Sequence, residues 1–203
     1  MSHLNEFTQK WLIDHLTEIT GVQLEVNARG MLVGKEGAEI NESSTSESAR
    51  DDLMYAIGAP TIVRVRTWGN DRDAGSQFDP AYNVIYLNLD QIMYHEMNSE
   101  GITSLTMGIG MTFLHELNHS PIGFTRKHTP HSSSGVDVTT DPVFLRNNLY
   151  REEMGAHMGQ QENYNYAYTS YGRPFIGFGN RNRVYGNWYG GPYPYTNWRR
   201  GGK

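Results

Sequence analysis

The sequence contains no cysteine among its 203 residues. This excludes disulfides, thiol catalysis and cysteine-held zinc, so any transition-metal site must be built from His, Asp or Glu. No run of about 18 apolar residues occurs, which argues against a membrane span. The first 16 residues, MSHLNEFTQKWLIDHL, carry polar and acidic side chains where a signal peptide needs a continuous apolar stretch. We therefore expect neither a membrane span nor an ordinary secretory signal.

The net charge of −5 conceals an asymmetry between the body and the end of the chain. Residues 164–203 contain six Lys or Arg and no acid, so this tail carries +6 and the preceding residues −11. The tail also holds 12 of the 24 aromatic residues together with eight glycines, a bias typical of irregular structure. We predict a folded domain over residues 1–163, with its core at about 4–175, followed by the tail at 164–203.

Hydrophobic periodicity predicts a mixture of helices and short strands, and hence an α+β fold. We expect a small mixed or antiparallel sheet, because several segments alternate apolar and polar residues. The predicted elements, in chain order, are a helix over 4–19 capped by Gly21, a hairpin formed by VQLEV and MLVG, a helix ending near Ile57, strands in TIVRVRTW and NVIYLNL, a helix over 102–118, and a helix from Pro142 to about Gln161.

The segment HELNH, residues 115–119, has the spacing of a metal site. Residues four apart share one face of a helix, so His115 and His119 can bind one ion. Glu116 lies roughly 100° further around the helix, where it can reach a water molecule without ligating the metal. The pattern predicts a catalytic Zn²⁺ held by the two histidines, with Glu116 as the general base.

A near-copy of the motif provides an internal comparison. Residues 94–100, YHEMNSE, repeat the His-Glu pair but have Ser99 where the second histidine would stand. This copy cannot chelate an ion in the same way, and we interpret His95 and Glu96 as surface residues.

A catalytic zinc site needs a third protein ligand. In the zinc peptidases with an extended histidine motif, the third histidine follows the second by six residues, but that position is Thr125 here. We favour Glu153, on the helix that follows the long loop, as the third ligand. The alternatives that stay open are Glu152, the loop residues His128 and His131, and the aspartates Asp137 and Asp141. Asp141 precedes Pro142 and also suits a helix N-cap.

The order of these features resembles the bacterial effector-type and polymorphic-toxin zinc metallopeptidases. HELNH is followed by a loop, then by an EE-x-x-A helix (Glu152, Glu153 and Ala156), and then by Glu162-Asn163. Upstream, Thr20-Gly21 before a hairpin, a Ser-rich loop and the FDP of residues 78–80 also look like this family. The resemblance covers about residues 4–175. It departs from the family in the later Glu-Asn pair and in Ser120-Pro121 after the motif.

The resemblance implies a zincin-like fold with an active-site helix, a catalytic domain over residues 1–163, and endoproteolysis of a protein or peptide substrate. It also implies a protein made in the bacterial cytoplasm and then secreted or injected into a target cell, with an immunity or delivery partner. The candidate stabilisers of the transition state are Tyr150, Arg151, His157, Tyr164 and Tyr166. Two alternatives remain: a catalytically inactive zincin-like binding module, and a protein that binds nucleic acid or a surface through its basic aromatic tail. We expect no nucleic-acid partner, because the body is strongly acidic.

Overall fold

The computed structural model describes residues 4–67, 75–98, 104–128 and 140–155, together with the backbone of four residue pairs between 160 and 179. Its helices are α1 (Glu6–Thr20), α2 (Glu47–Gly58), α3 (Leu89–Asn98), α4 (Ser104–Met107), α5 (Ile109–His119) and α6 (Pro142–Met154). A short 3-10 turn, Pro121–Gly123, follows α5. In this part of the chain, no helix is both long and apolar enough to cross a bilayer.

The strands form small separate sheets, so the α+β prediction is confirmed. An antiparallel hairpin joins β1 (Leu24–Val26) and β2 (Leu32–Gly34). A three-stranded mixed sheet has the order β3 (Arg64–Thr67), β5 (Val84–Leu87), β4 (Gln77–Asp79). β3 is parallel to β5, whereas β4 is antiparallel to it and lies at one edge. In the tail region, two-residue strands pair as β6 (Gln160–Gln161) with β9 (Phe178–Gly179), and β7 (Ala167–Tyr168) with β8 (Pro174–Phe175).

The first helix and the hairpin agree with the sequence prediction. Asn5 caps α1 by accepting a hydrogen bond from the backbone N–H of Thr8, and Gly21 ends the helix with a φ of +74°. At the second helix, Ser46 from the polar loop supplies the N-cap through a bond from the Ala49 N–H. These caps were readable because a polar side chain or a glycine stands at each boundary.

Two elements differ from the prediction. The segment around Phe78 was expected to be a turn but forms the edge strand β4, and helix α3 was not predicted. The expected helix over 102–118 is divided at Gly108, which begins α5 without a side-chain cap. The helix from Pro142 ends at Met154, because Gly155 adopts a φ of +123°.

Helix α5 lies at the centre of the fold and carries the HELNH segment. Its apolar side, which includes Ile109, Phe113 and Leu117, belongs to the main hydrophobic core. Gly110 faces α1 so closely that an added Cβ would lie 2.9 Å from the side chains of His15 and Ile19. The glycine that weakens the helix locally therefore allows α5 to pack against α1.

Candidate metal centre

Three histidines meet beside the C-terminal end of α5. His115 and His119 project from the helix, and His128 approaches from the loop that follows it. Each contributes a ring nitrogen, and these atoms lie within 4.8 Å of one another. All three side chains are partly exposed, which leaves the cluster accessible from solvent.

The Nδ1 atom of each ring already has a partner. His119 Nδ1 lies 2.8 Å from the backbone carbonyl of Arg126, and His128 Nδ1 lies 3.1 Å from Asp141 Oδ1. His115 Nδ1 lies 2.7 Å from the side-chain amide of Asn147. Because Nδ1 is engaged in all three rings, Nε2 is the atom that each ring can offer to an ion. Hydrogen bonds of this kind fix ring orientation in metal sites.

The spacing of the histidines fits a transition-metal ion. Three atoms that lie within 4.8 Å of one another share a centre at most about 2.8 Å from each, whereas a Zn–N bond measures about 2.0–2.1 Å. An inward shift of less than about 1 Å per ring would complete the coordination. Three neutral imidazoles with an open fourth position form a donor set that suits zinc.

The environment also favours the neutral imidazoles that a metal requires. Burial lowers the pKa of His115 well below its usual value, and the neighbouring His119, His128 and Arg151 lower it further. Burial likewise lowers the pKa of His119, although its bond to the Arg126 carbonyl opposes this effect. At neutral pH both helix histidines are therefore uncharged.

Glu116 lies in the same part of α5 but is almost fully buried, with 6% of its surface exposed. Burial raises its pKa to about 8, while a hydrogen bond from the backbone of Phe78 acts in the opposite direction. Phe78 belongs to the edge strand β4, which packs against α5. A cation at the three histidines would favour the carboxylate form that a general base needs.

Asp141 combines two of the roles considered from the sequence. Its carboxylate accepts hydrogen bonds of 3.0 Å from the backbone N–H groups of Val143 and Phe144, so it is the N-cap of α6 as its position before Pro142 suggested. The same carboxylate contacts the ring of His128. Asp141 is therefore placed to orient a ligand, while His128 itself occupies the third position.

The structure does not bring Glu153, the favoured third ligand, to the histidines. One of its oxygens accepts bonds from Ser46 Oγ at 2.6 Å and from the Ser48 N–H at 2.9 Å, and the other accepts from Ser48 Oγ at 2.7 Å. Asn147 faces His115 from the same helix, and Glu153 lies six residues further on, about 9 Å along the axis and about 240° around it. This helical register directs Glu153 to the N-terminus of α2. Glu152, the other glutamate considered, is exposed on α6 and is not part of the cluster.

Several residues proposed from the sequence lie outside the described part of the chain or away from the cluster. His131, Asp137, His157, Tyr164 and Tyr166 are outside the described residues, as are the side chains of His95 and Glu96.

Two proposed transition-state stabilisers are described, and both are engaged elsewhere. The hydroxyl of Tyr150 donates to Asp52, and the guanidinium of Arg151 donates to the carbonyl of Thr106 at 3.0 Å. Both side chains are fully buried, so neither is positioned to contact a substrate without rearrangement.

Sequence reasoning missed Asn147 and Arg126, whose groups contact the ligand histidines. An asparagine inside a helix and a backbone carbonyl in a loop carry no recognisable pattern. The only available signal for the third position was the presence of His128 within ten residues of the motif, and other loop residues shared that signal equally. Neither a scan against protein-family models nor searches of curated proteins and solved structures found a match to this chain.

Proposed function

We propose that this protein is a zinc-dependent endopeptidase of the HExxH type with a zincin-like catalytic domain. The observation that carries the proposal is the convergence of His115, His119 and His128 next to the buried Glu116. Supporting features are the three engaged Nδ1 atoms and the partly exposed position of the rings. The substrate class is protein or peptide. The sequence resemblance adds the proposal that the protein acts in a target cell after secretion or injection.

When bound, zinc would supply a Lewis acid that polarises the scissile carbonyl and makes water a stronger nucleophile at neutral pH. Glu116 would accept a proton from the attacking water. As the amide C–N bond breaks, it would deliver that proton to the leaving nitrogen. The carboxylate stays fixed because the backbone N–H of Phe78 donates to it.

The edge strand β4 supports a peptide as the substrate. β4 pairs with β5 on one side and has no strand partner on the other within the described sheet. Because Phe78 reaches Glu116, that open side faces the proposed centre. An exposed strand edge can bind an extended peptide through main-chain hydrogen bonds, which would bring a peptide bond close to Glu116.

The deciding experiment compares zinc content and peptide cleavage in three variants. We expect one equivalent of zinc in the unmodified chain and in Glu116→Gln, but none in His115→Ala. Cleavage of a broad peptide library should fall by at least about 100-fold in Glu116→Gln. Glu96→Gln, in the near-copy HEMNS, is the matched control and should remain active.

Each outcome separates the alternatives. Full activity in Glu116→Gln would contradict the role of this residue as the base. Zinc binding without cleavage by the unmodified chain would favour an inactive metal-binding module. Absence of zinc would reject the metal centre itself.

A further inference from the structure

A buried polar network lies next to the three histidines but is not part of the proposed chemistry. It centres on Asp52 of α2, whose side chain is 7% exposed. Arg146 of α6 donates to both carboxylate oxygens, through Nε at 2.8 Å and Nη2 at 2.9 Å, and the hydroxyl of Tyr150 donates to one of them. We call Asp52 and the residues joined to it, Asn118, Arg126, Arg146, Asn147 and Tyr150, the Asp52 network.

One branch of the network reaches His119 through Arg126. The Arg126 guanidinium lies 3.4 Å from Asp52 and also donates to the Asn118 side chain and to the carbonyl of Gly123 at 3.2 Å. The backbone N–H of Arg126 donates to the Asn118 carbonyl at 2.8 Å. The residue is therefore held at both its side chain and its backbone, and its carbonyl is the group that contacts His119 Nδ1.

A second branch reaches His115 through two amides. The Asn118 side-chain nitrogen donates to the Leu114 carbonyl at 2.8 Å and makes longer contacts of 3.3 Å to Tyr150 Oη and 3.4 Å to Asn147 Oδ1. Asn147 in turn contacts His115 Nδ1 at 2.7 Å. Asp52 is thus connected to two of the three proposed ligands without touching either of them.

The charges explain why Asp52 should dominate this network. Its carboxylate faces the guanidiniums of Arg126 and Arg146 in a partly buried setting, where charge-assisted hydrogen bonds are stronger than neutral ones. Burial and the Asp52 carboxylate raise the pKa of Tyr150, so the phenol remains a hydrogen-bond donor. Neutralising Asp52 would weaken the anchor of both branches at once.

We infer that Asp52 is a positioning residue of the metal centre, which sets the orientation of His119 through Arg126 and of His115 through the Asn118–Asn147 pair. The inference rests on the proposed metal site. Partners that orient histidine ligands typically change metal affinity by 10-fold to 100-fold when they are altered.

Glu153 offers a matched control for Asp52. Both are carboxylates that link α2 to α6, but Glu153 bonds only to Ser46 and Ser48 in the contacts described here, and these do not lead to a histidine. A general weakening of the contact between the two helices should affect both variants. A positioning role should affect only Asp52.

The experiment measures zinc affinity by chelator competition and the visible spectrum of the Co²⁺-substituted protein. In Asp52→Asn we expect zinc to bind roughly 10-fold to 100-fold more weakly, with a changed cobalt spectrum that reports altered ligand geometry. In Glu153→Gln we expect a lower unfolding temperature, with unchanged affinity and an unchanged spectrum. Unchanged zinc binding and an unchanged spectrum in Asp52→Asn would overturn the inference, as would an equal loss in both variants.

A second pair of variants serves if Asp52→Asn does not fold. Arg126→Gln removes the charged anchor but retains the carbonyl that contacts His119, and the exposed neighbour Lys127→Gln is its control. Weaker zinc binding in Arg126→Gln alone supports the inference, and equal binding in both overturns it. If the unmodified chain binds no zinc, the proposed function fails as well. If it binds zinc and neither Asp52→Asn nor Arg126→Gln differs from it, only the positioning role fails.

Discussion

The helix α5 and the loop that follows it contribute to the candidate centre in different ways. On the helix, a regular repeat places His115 and His119 on one face, so their proximity follows from their spacing alone. In the loop, His128 reaches the same point only because the 3-10 turn, Arg126 and Asp141 guide the chain back. Local geometry therefore identifies two candidate ligands, whereas the third depends on contacts between distant segments.

The largest expected effect compares the third position in the loop with the residue favoured from the sequence. His128→Ala should weaken zinc binding by more than about 1,000-fold, or about 4 kcal/mol, because it removes a ligand. Glu153→Gln should leave the affinity within about twofold. Isothermal titration with a competing chelator distinguishes them, and the reverse result would restore the glutamate-completed site.

The helix side of the comparison can be tested through the buried base in the metal-free protein. The pKa of Glu116 is about 8 in the fold and near 4.5 ordinarily, so between these values the folded chain retains a proton that the unfolded chain has lost. Stability is therefore lost as pH rises through this window. Glu116→Gln removes the effect and should be more stable at pH 8 by on the order of 3 kcal/mol, given about 1.4 kcal/mol per pKa unit.

Urea unfolding at a series of pH values, with a chelator present, measures this difference. The gain should shrink to nearly zero at pH 4.5. A constant difference at every pH would show that Glu116 is solvated rather than buried.

The path of the loop can be broken at Gly123. An added Cβ at this position would lie 1.8 Å from the backbone oxygen of Leu117, so the turn after α5 would have to move. We expect Gly123→Ala to lower the free energy of unfolding by about 2 kcal/mol and to weaken zinc binding by displacing His128. Gly58→Ala, where the added methyl meets open space, should change neither quantity. Denaturant titration and chelator competition provide the two measurements.

The smallest effect concerns the role that Glu153 has in this fold. Partial burial acts to raise its pKa, but bonds from Ser46 and Ser48, together with Arg146, lower it overall. Such a group stabilises the fold above its ordinary pKa, and the contribution disappears as pH falls through the lowered value. Glu153→Gln should cost about 0.5–1 kcal/mol at pH 7 and nothing in strong acid, as thermal unfolding at the two pH values would show.

Much of the fold could be predicted because its boundaries are local. Gly21 and Asp141 mark helix ends through their own backbone or side-chain chemistry. The edge strand β4 was missed because only three residues pair there, in a segment whose Asp-Pro sequence is typical of a turn. The parallel pairing of β3 with β5 depends on the whole chain path between them.

The same distinction applies to the candidate centre. The positions of His115, Glu116 and His119 follow from one helix. The choice among the alternatives for the third position depended on the rotation of α6, and the sequence does not specify how a helix is rotated relative to its neighbours. With Asn147 facing the cluster, Glu153 necessarily faces elsewhere.

The closeness of the three histidines in the chain has a consequence for metal loading. They lie within 14 consecutive residues, so an ion that joins them closes only a short segment, the longer part being the nine residues from His119 to His128. The entropy of closing nine residues is on the order of 2 kcal/mol, small beside the free energies of about 10–16 kcal/mol typical of tight zinc sites. An unfolded or nascent chain can therefore already compete for the ion. Zinc should then stabilise the native state by less than its affinity for the folded protein alone would give.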